Sequence, residues 1–289
     1  MYIMFVQVAN SQTFWFHFKF DFFEKYDSPV SEKEKRATEL VVYHTDDITL
    51  CDRSQHICIR SPPTGLQLEI EIKVGQLCTT VCHYKGYTYV GLDNGAVDRI
   101  DEKGTVNLAF IQLPSSLASI RAQNDQLFIQ MYHNTSLSYK ILAYDLSGTK
   151  LHGWTSSSND LNFGGYAGNK ISIINGQLGL LDAKSKQITL YTLAGEVIRH
   201  IQCTEITANT CVSMCECDNN SVIISCNSPA KVFKFNLLSG AVDWCNTDFK
   251  DSFTVRCFGK FVYVSGDYVI KTRIFIINSE TGELLVCRL

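Results

Sequence analysis

Residues 261–285 read FVYVSGDYVIKTRIFIINSETGELL. The apolar runs at Phe261–Ser265 and from Ile274 onward have the every-second-residue patterning of half-buried strands. The second run ends in a short polar link, Asn278-Ser279-Glu280-Thr281-Gly282, before the chain turns apolar again at Leu284. A polar link ending in glycine is hairpin chemistry, because glycine supplies the positive φ such a turn requires without a steric penalty. A further strand, Ser252–Phe258, precedes the first run across Gly259-Lys260. This end of the chain therefore reads as four consecutive antiparallel strands.

The same pattern recurs upstream. ICIRSPPTGLQLEI (57–70), VDRIDEKGTVNLAF (97–110), ILAYDLSGTKLHGW (141–154), ITLYTLAGEVIRHI (188–201) and VFKFNLLSGAVDW (232–244) each repeat the strand, polar link, glycine and strand of 274–287. The shared glycines, Gly65, Gly104, Gly148, Gly195, Gly240 and Gly282, are spaced by 39, 44, 47, 45 and 42 residues. Two more strands are expected before each hairpin: Glu39–Thr45 with Ile48–Asp52, Leu77–His83 with Tyr87–Leu92, Leu117–Gln123 with Leu127–Tyr132, Phe163–Ala167 with Lys170–Ile174, and Cys211–Cys217 with Ser221–Cys226. Four strands in each unit of about 40–45 residues is a propeller period. The expectation is an all-β fold: a six-bladed β-propeller of four-stranded antiparallel blades over residues 38–289, with a short N-terminal extension over 1–37. That extension carries Phe14, Phe16, Phe18, Phe20 and Phe22 in alternation, then the charged stretch Ser31–Arg36.

The composition agrees. The 289 residues are 45% hydrophobic and 19% charged, with a formal net charge of −3. That is ample for a core and too apolar for a disordered chain. It gives no overall attraction to nucleic acid, so DNA is not an expected partner. No apolar run reaches the roughly 18 residues of a membrane helix, so none of the chain is expected in a membrane. The N-terminus lacks the basic start of a signal peptide. The twelve cysteines are therefore expected as reduced, mostly buried thiols of a cytoplasmic protein. The sequons at Asn134 and Asn219 do not alter that expectation.

The motifs AYDLSGTKL (143–151), KFNLLSGAV (234–242) and IINSETGEL (276–284) resemble repeats of the NHL and PQQ-like propeller families, and 261–285 looks like the last blade of an NHL propeller. Such domains often end the tripartite-motif ubiquitin ligases, so the resemblance implies a substrate-recruiting or scaffold module that binds protein. NHL propellers that bind RNA make RNA the alternative partner. Six-bladed propellers that are calcium-dependent lactonases supply a metal-dependent hydrolase as a further alternative, by analogy of fold alone. The chain departs from the ligases in having no RING, no B-box and no C-x-x-C pair.

No nucleophile elbow and no phosphate-binding glycine loop occurs, so no catalytic residue and no cofactor is assigned. Cys78-x3-Cys82-His83 and Cys211-x3-Cys215-x-Cys217 place thiols on one face of a strand, but not at known zinc spacings, and are read as core rather than metal ligands. Arg121, Arg256, Lys184, Lys186, Lys271 and Arg273 could form a modest basic rim. In a propeller the links between the second and third strands (B–C) and between blades (D–A) share one face. The B–C connections Tyr132–Tyr139, Asn175–Gln187 and Gly266–Arg273 are expected as long loops there, and binding is placed on Tyr132, His133, Tyr139, Tyr268, Lys271 and Arg273.

Overall fold

The computed structural model describes residues 3–8, 12–17, 37–42, 48–52, 57–61 and 70–73 by their backbone. It describes 78–288 apart from the connections 102–104, 116, 134–137, 156–170, 184, 207–210, 228, 249–253 and 269–270. At the N-terminus β1 (Ile3–Val8) and β2 (Gln12–His17) pair as a hairpin, with Phe5 opposite Trp15 and Met4 opposite Phe16. Phe18, Phe20, Phe22 and Ser31–Arg36 lie outside the described residues.

The described residues from Cys78 onward form an all-β propeller of four-stranded antiparallel blades. One blade is β7 (Cys78–Tyr84), β8 (Tyr87–Leu92), β9 (Ala96–Ile100) and β10 (Val106–Gln112). The next is β11 (Leu117–Gln123), β12 (Gln126–His133), β13 (Ser138–Asp145) and β14 (Lys150–Thr155). Then come β15 (Ile171–Ile174), β16 (Gln177–Asp182), β17 (Gln187–Tyr191) and β18 (Val197–Gln202). They are followed by β19 (Cys211–Asp218), β20 (Ser221–Asn227), β21 (Ala230–Asn236) and β22 (Val242–Asn246). The last blade is β23 (Thr254–Phe258), β24 (Phe261–Tyr268), β25 (Lys271–Asn278) and β26 (Leu284–Arg288).

The blades described through their side chains thus number five, where the repeat predicted six. The segment expected as the first blade pairs as a four-stranded sheet of β3 (Ala37–Val42), β4 (Ile48–Asp52), β5 (Ile57–Ser61) and β6 (Ile70–Lys73), of which only the backbone is described. Its last strand begins at Ile70 rather than beside Gly65. Gly65 and Gly104 both lie outside the described residues.

The third-to-fourth-strand links explain the repeat motif. Asp145 Oδ1 accepts hydrogen bonds from the backbone N–H of Ser147 (2.9 Å) and Thr149 (2.8 Å). Asn236 Oδ1 accepts from Leu238 and Ser239, and Asn278 Oδ1 from Glu280 and Thr281. These short polar side chains fold the backbone back on itself, and glycine closes the turn in the left-handed region, as at Gly148 (φ 88°) and Gly282 (φ 74°). A register shift follows in each described hairpin of this kind, as at Ala143/Tyr144 and Ile276/Ile277. Such bulges blunt the exposed edge of each outer strand against pairing with another chain.

The third described blade departs from expectation. Its innermost strand is Ile171–Ile174, turning at Asn175-Gly176 into Gln177–Asp182, so the strands sit one place later than predicted. Asn175 (φ 50°) and Gly176 (φ 69°) form the asparagine–glycine hairpin turn that the blade needs.

The core lies between blades. One cluster joins Ile174, Leu181 and Leu190 of one blade to Met214, Ile224 and Phe233 of the next. Another joins Tyr89 and Val97 to Ile120, Ile129 and Leu142. The second strands are buried on both faces and the outermost strands are largely exposed, so burial peaks in the middle of each blade.

Polar groups lock the same joints. Near the axis, Thr80 Oγ1 accepts from the N–H of Ile120 (3.2 Å), Gln130 Oε1 accepts from Ile171 (3.1 Å), and the hydroxyls of Ser213 and Thr254 meet at 3.3 Å. At the periphery, a side chain of each of four successive blades donates to the link carbonyl of the next. Arg99 reaches Leu146 O at 3.1 Å, His152 Nε2 reaches Leu193 O at 2.9 Å, Arg199 reaches Leu237 O at 3.0 Å and Trp244 Nε1 reaches Ser279 O at 3.0 Å. The four acceptors occupy equivalent places, each one residue after the Asp, Thr or Asn that opens the turn.

Candidate functional site

The candidate binding residues fall on the expected face but on strands rather than loops. Tyr132 pairs with Tyr139, and His133 with Ser138, at the ends of β12 and β13. Gly266 pairs with Arg273, Asp267 with Thr272 and Tyr268 with Lys271, so β24 and β25 continue through the segment expected as a loop. The third expected loop, Asn175–Gln187, contains the whole of β16. The period-two pairing carries on through Gly266, the start of the segment expected as a loop.

The B–C links of this face are therefore short: residues 93–95, 134–137, 183–186, 228–229 and 269–270. The longer connections are the D–A ones, 156–170, 203–210 and 247–253. The structure places Tyr132 with Tyr139 in one blade, and Tyr268, Lys271 and Arg273 together in another. The Tyr139 side chain is partly buried, and those of the other five lie outside the described residues.

One contact on this face had no sequence signal. Lys231 Nζ, on a side chain only 11% exposed, donates to Glu205 O at 2.7 Å and pairs with the Glu205 carboxylate at 3.5 Å. It also lies 5.3 Å from the Phe233 ring centre, a cation–π contact. This pins the connection from β18 to β19 against β21. The residues that meet are 26 apart in sequence and belong to no motif.

In each of the five blades the innermost strand carries one residue opposite the third residue of the second strand, and so at the same height: Cys82, Arg121, Ser172, Cys215 and Arg256. Arg121 and Arg256, expected as part of a modest basic rim, are on innermost strands. Arg121 is 9% exposed and donates to the carbonyl of Ile120 at 2.6 Å, and Arg256 donates to that of Val255 at 2.7 Å. Lys271 and Arg273 are on β25, Lys186 ends the link before β17, and Lys184 lies outside the described residues.

Two thiols of the cysteine motifs are core positions, and Cys217 is partly exposed. Cys82 and Cys215 are buried free thiols, and burial pushes Cys215 up to about 12. The side chains of Cys78 and Cys211 lie outside the described residues. Among the described residues no three His, Cys, Asp or Glu side chains gather as a metal would need. Asp98 is the one carboxylate of the described set that is almost wholly buried, at 1% exposure. Its Oδ1 accepts from Ala109 N–H at 2.7 Å, capping the bulge of β10, where Ala109 has φ 49°. Burial raises its carboxyl above the usual range.

The sequence matches no family model and no curated protein. Solved structures match over most of the chain. The WD40 β-propeller domain of Doa1 is 11% identical, covers 88% of this chain and 82% of its own, and aligns with a TM-score of 0.62. Virginiamycin B lyase from Staphylococcus aureus is 12% identical over 87% of this chain and 83% of its own, with a TM-score of 0.64. BamB from Moraxella catarrhalis is 13% identical over 86% and 75%, with a TM-score of 0.51. At these identities the likeness is one of fold: the class is the β-propeller.

Proposed function

We propose that this chain is a non-enzymatic protein-interaction propeller that binds its partner across the face formed by the B–C and D–A links. The observation that carries this reading is the placement of Tyr132, His133 and Tyr139, and of Tyr268, Lys271 and Arg273, at strand ends on that one face. Aromatic side chains and arginine are the types that dominate interface energetics, and sites built on strands are set more precisely than sites on loops.

The same reading takes residues 38–289 as a single ring of six blades, with the sheet of β3–β6 as the sixth. In support, β3 runs beside β7 on one side and β23 on the other, where a closing blade would stand. It takes 1–37 as an appendage and the thiols as those of a cytoplasmic protein. The motif resemblance to NHL repeats favours recruitment of a substrate or scaffold partner in a ubiquitin-ligase-type system.

The test is capture of partners on the immobilised full chain, with and without RNase and EDTA. Protein partners retained under both treatments are expected. Loss with RNase would replace this reading by RNA binding, and loss with EDTA by a metal-dependent activity.

A further inference from the structure

Two cysteines meet where the last two blades join. Cys217 is on β19 and Cys257 on β23, the innermost strands of successive blades, and their Sγ atoms are 3.3 Å apart. Both are free thiols and both are partly exposed, unlike Cys82, Cys203, Cys215 and Cys226, which are buried. A disulfide needs about 2.05 Å between sulfurs, so closure from 3.3 Å asks for roughly an ångström of approach.

The surroundings divide the labour. Cys257 donates its S–H to Cys217. That bond holds the Cys217 thiol below its usual range, aided by the positive charge of Lys234 and a hydrogen bond from Ser279 and opposed by burial and the nearby Asp218 carboxylate. Lys234 Nζ sits 2.9 Å from Asp218 Oδ2 on a side chain only 14% exposed, which fixes the cation beside the pair. Cys257 is pushed up by the same hydrogen bond and by burial, with Cys215 and Cys217 adding to the rise. Cys217 is the nucleophile of this arrangement and Cys257 the resolving thiol.

We propose that Cys217 and Cys257 form a reversible, peroxide-driven disulfide that bolts these two blades together. In the first step the Cys217 thiolate attacks one oxygen of hydrogen peroxide. The O–O bond breaks, and the departing hydroxide takes up a proton to become water, leaving Cys217 as sulfenic acid. In the second step Cys257 sulfur attacks the Cys217 sulfur. The S–O bond breaks, the S–S bond forms, and the second water leaves with the Cys257 proton. Two thiols are oxidised and one peroxide is reduced to two waters; a dithiol reductant returns the two hydrogens.

The full chain is treated with increasing hydrogen peroxide, and its peptides are mapped without reduction. The expected first product is the 217–257 cross-linked peptide, lost on adding dithiothreitol. It is absent from Cys217→Ser and from Cys257→Ser, and Cys257→Ser accumulates a dimedone-reactive sulfenic acid at Cys217. Lys234→Met slows the first step. The proposal is overturned if Cys217 and Cys257 stay alkylatable while other cysteines oxidise, or if Cys217 joins a different cysteine or runs on to sulfinic acid. The wild-type map decides the matter by itself should a serine variant fail to fold.

Discussion

Asn236, Asp145 and Asn278 each spend one side-chain oxygen on two backbone donors of the turn that follows. Asn236→Ala leaves the N–H groups of Leu238 and Ser239 to water and should cost about 1 kcal/mol, read from denaturant unfolding. Two carboxylates should give opposite pH signatures. Hydrogen bonds from Ser147 and Thr149 hold Asp145 below the usual range. Its stabilising effect is present above the unfolded carboxyl value and fades as pH falls through the lower, folded one. Asp98 is held above the usual range by burial. As pH falls through that raised value the native state takes up a proton the unfolded chain does not, and the fold gains stability. Asp98→Asn should abolish that gain in unfolding curves taken across acidic pH, while Asp145→Asn should remove the opposite loss.

At the scale of elements, the link glycines are not equivalent. An added Cβ at Gly240 (φ 70°) meets nothing within 4 Å, whereas at Gly195 (φ 95°) it would lie 2.5 Å from the Trp154 ring of the preceding blade. Gly240→Ala should therefore cost about 1 kcal/mol, for the backbone alone. Gly195→Ala should cost clearly more, about 2–4 kcal/mol, because a ring wedged between blades must also move. Trp244→Phe keeps the ring against Gly282 but removes the donor to Ser279 O, at a cost of about 1 kcal/mol. Thermal or chemical unfolding of each variant checks these. The turns were legible because their chemistry is local: an Asp or Asn, then a glycine, at fixed spacing. The strand shift at Ile171–Ile174 was legible in principle too, since Asn175-Gly176 is the strongest hairpin signal in that unit. Gly168-Asn169 competed with it, and only pairing across the sheet decides between them. The blade-to-blade donors were not legible. Arg99, His152, Arg199 and Trp244 do one job with three residue types, so only the shared carbonyl reveals the pattern.

For the whole molecule, the propeller itself was legible from a period, while the candidate site was legible only as a face. Residue types marked the strand ends, but the sequence assigned the long connections to B–C links when they are D–A links. Segment length alone does not say which strands a connection joins. In the proposed function the stitched blades are a rigid stage, with binding on one side of it. The direct measurement compares two variants of the full chain for partner retention. One carries Tyr132→Ala, Tyr139→Ala, Tyr268→Ala, Lys271→Glu and Arg273→Glu. The other carries Leu238→Asp and Lys260→Glu on the opposite face, where both residues are exposed. With both variants folded, the account predicts at least about a tenfold loss of retained partner for the first, equivalent to 1.4 kcal/mol or more, and wild-type retention for the second. Equal retention by both, or loss confined to the second, would contradict it.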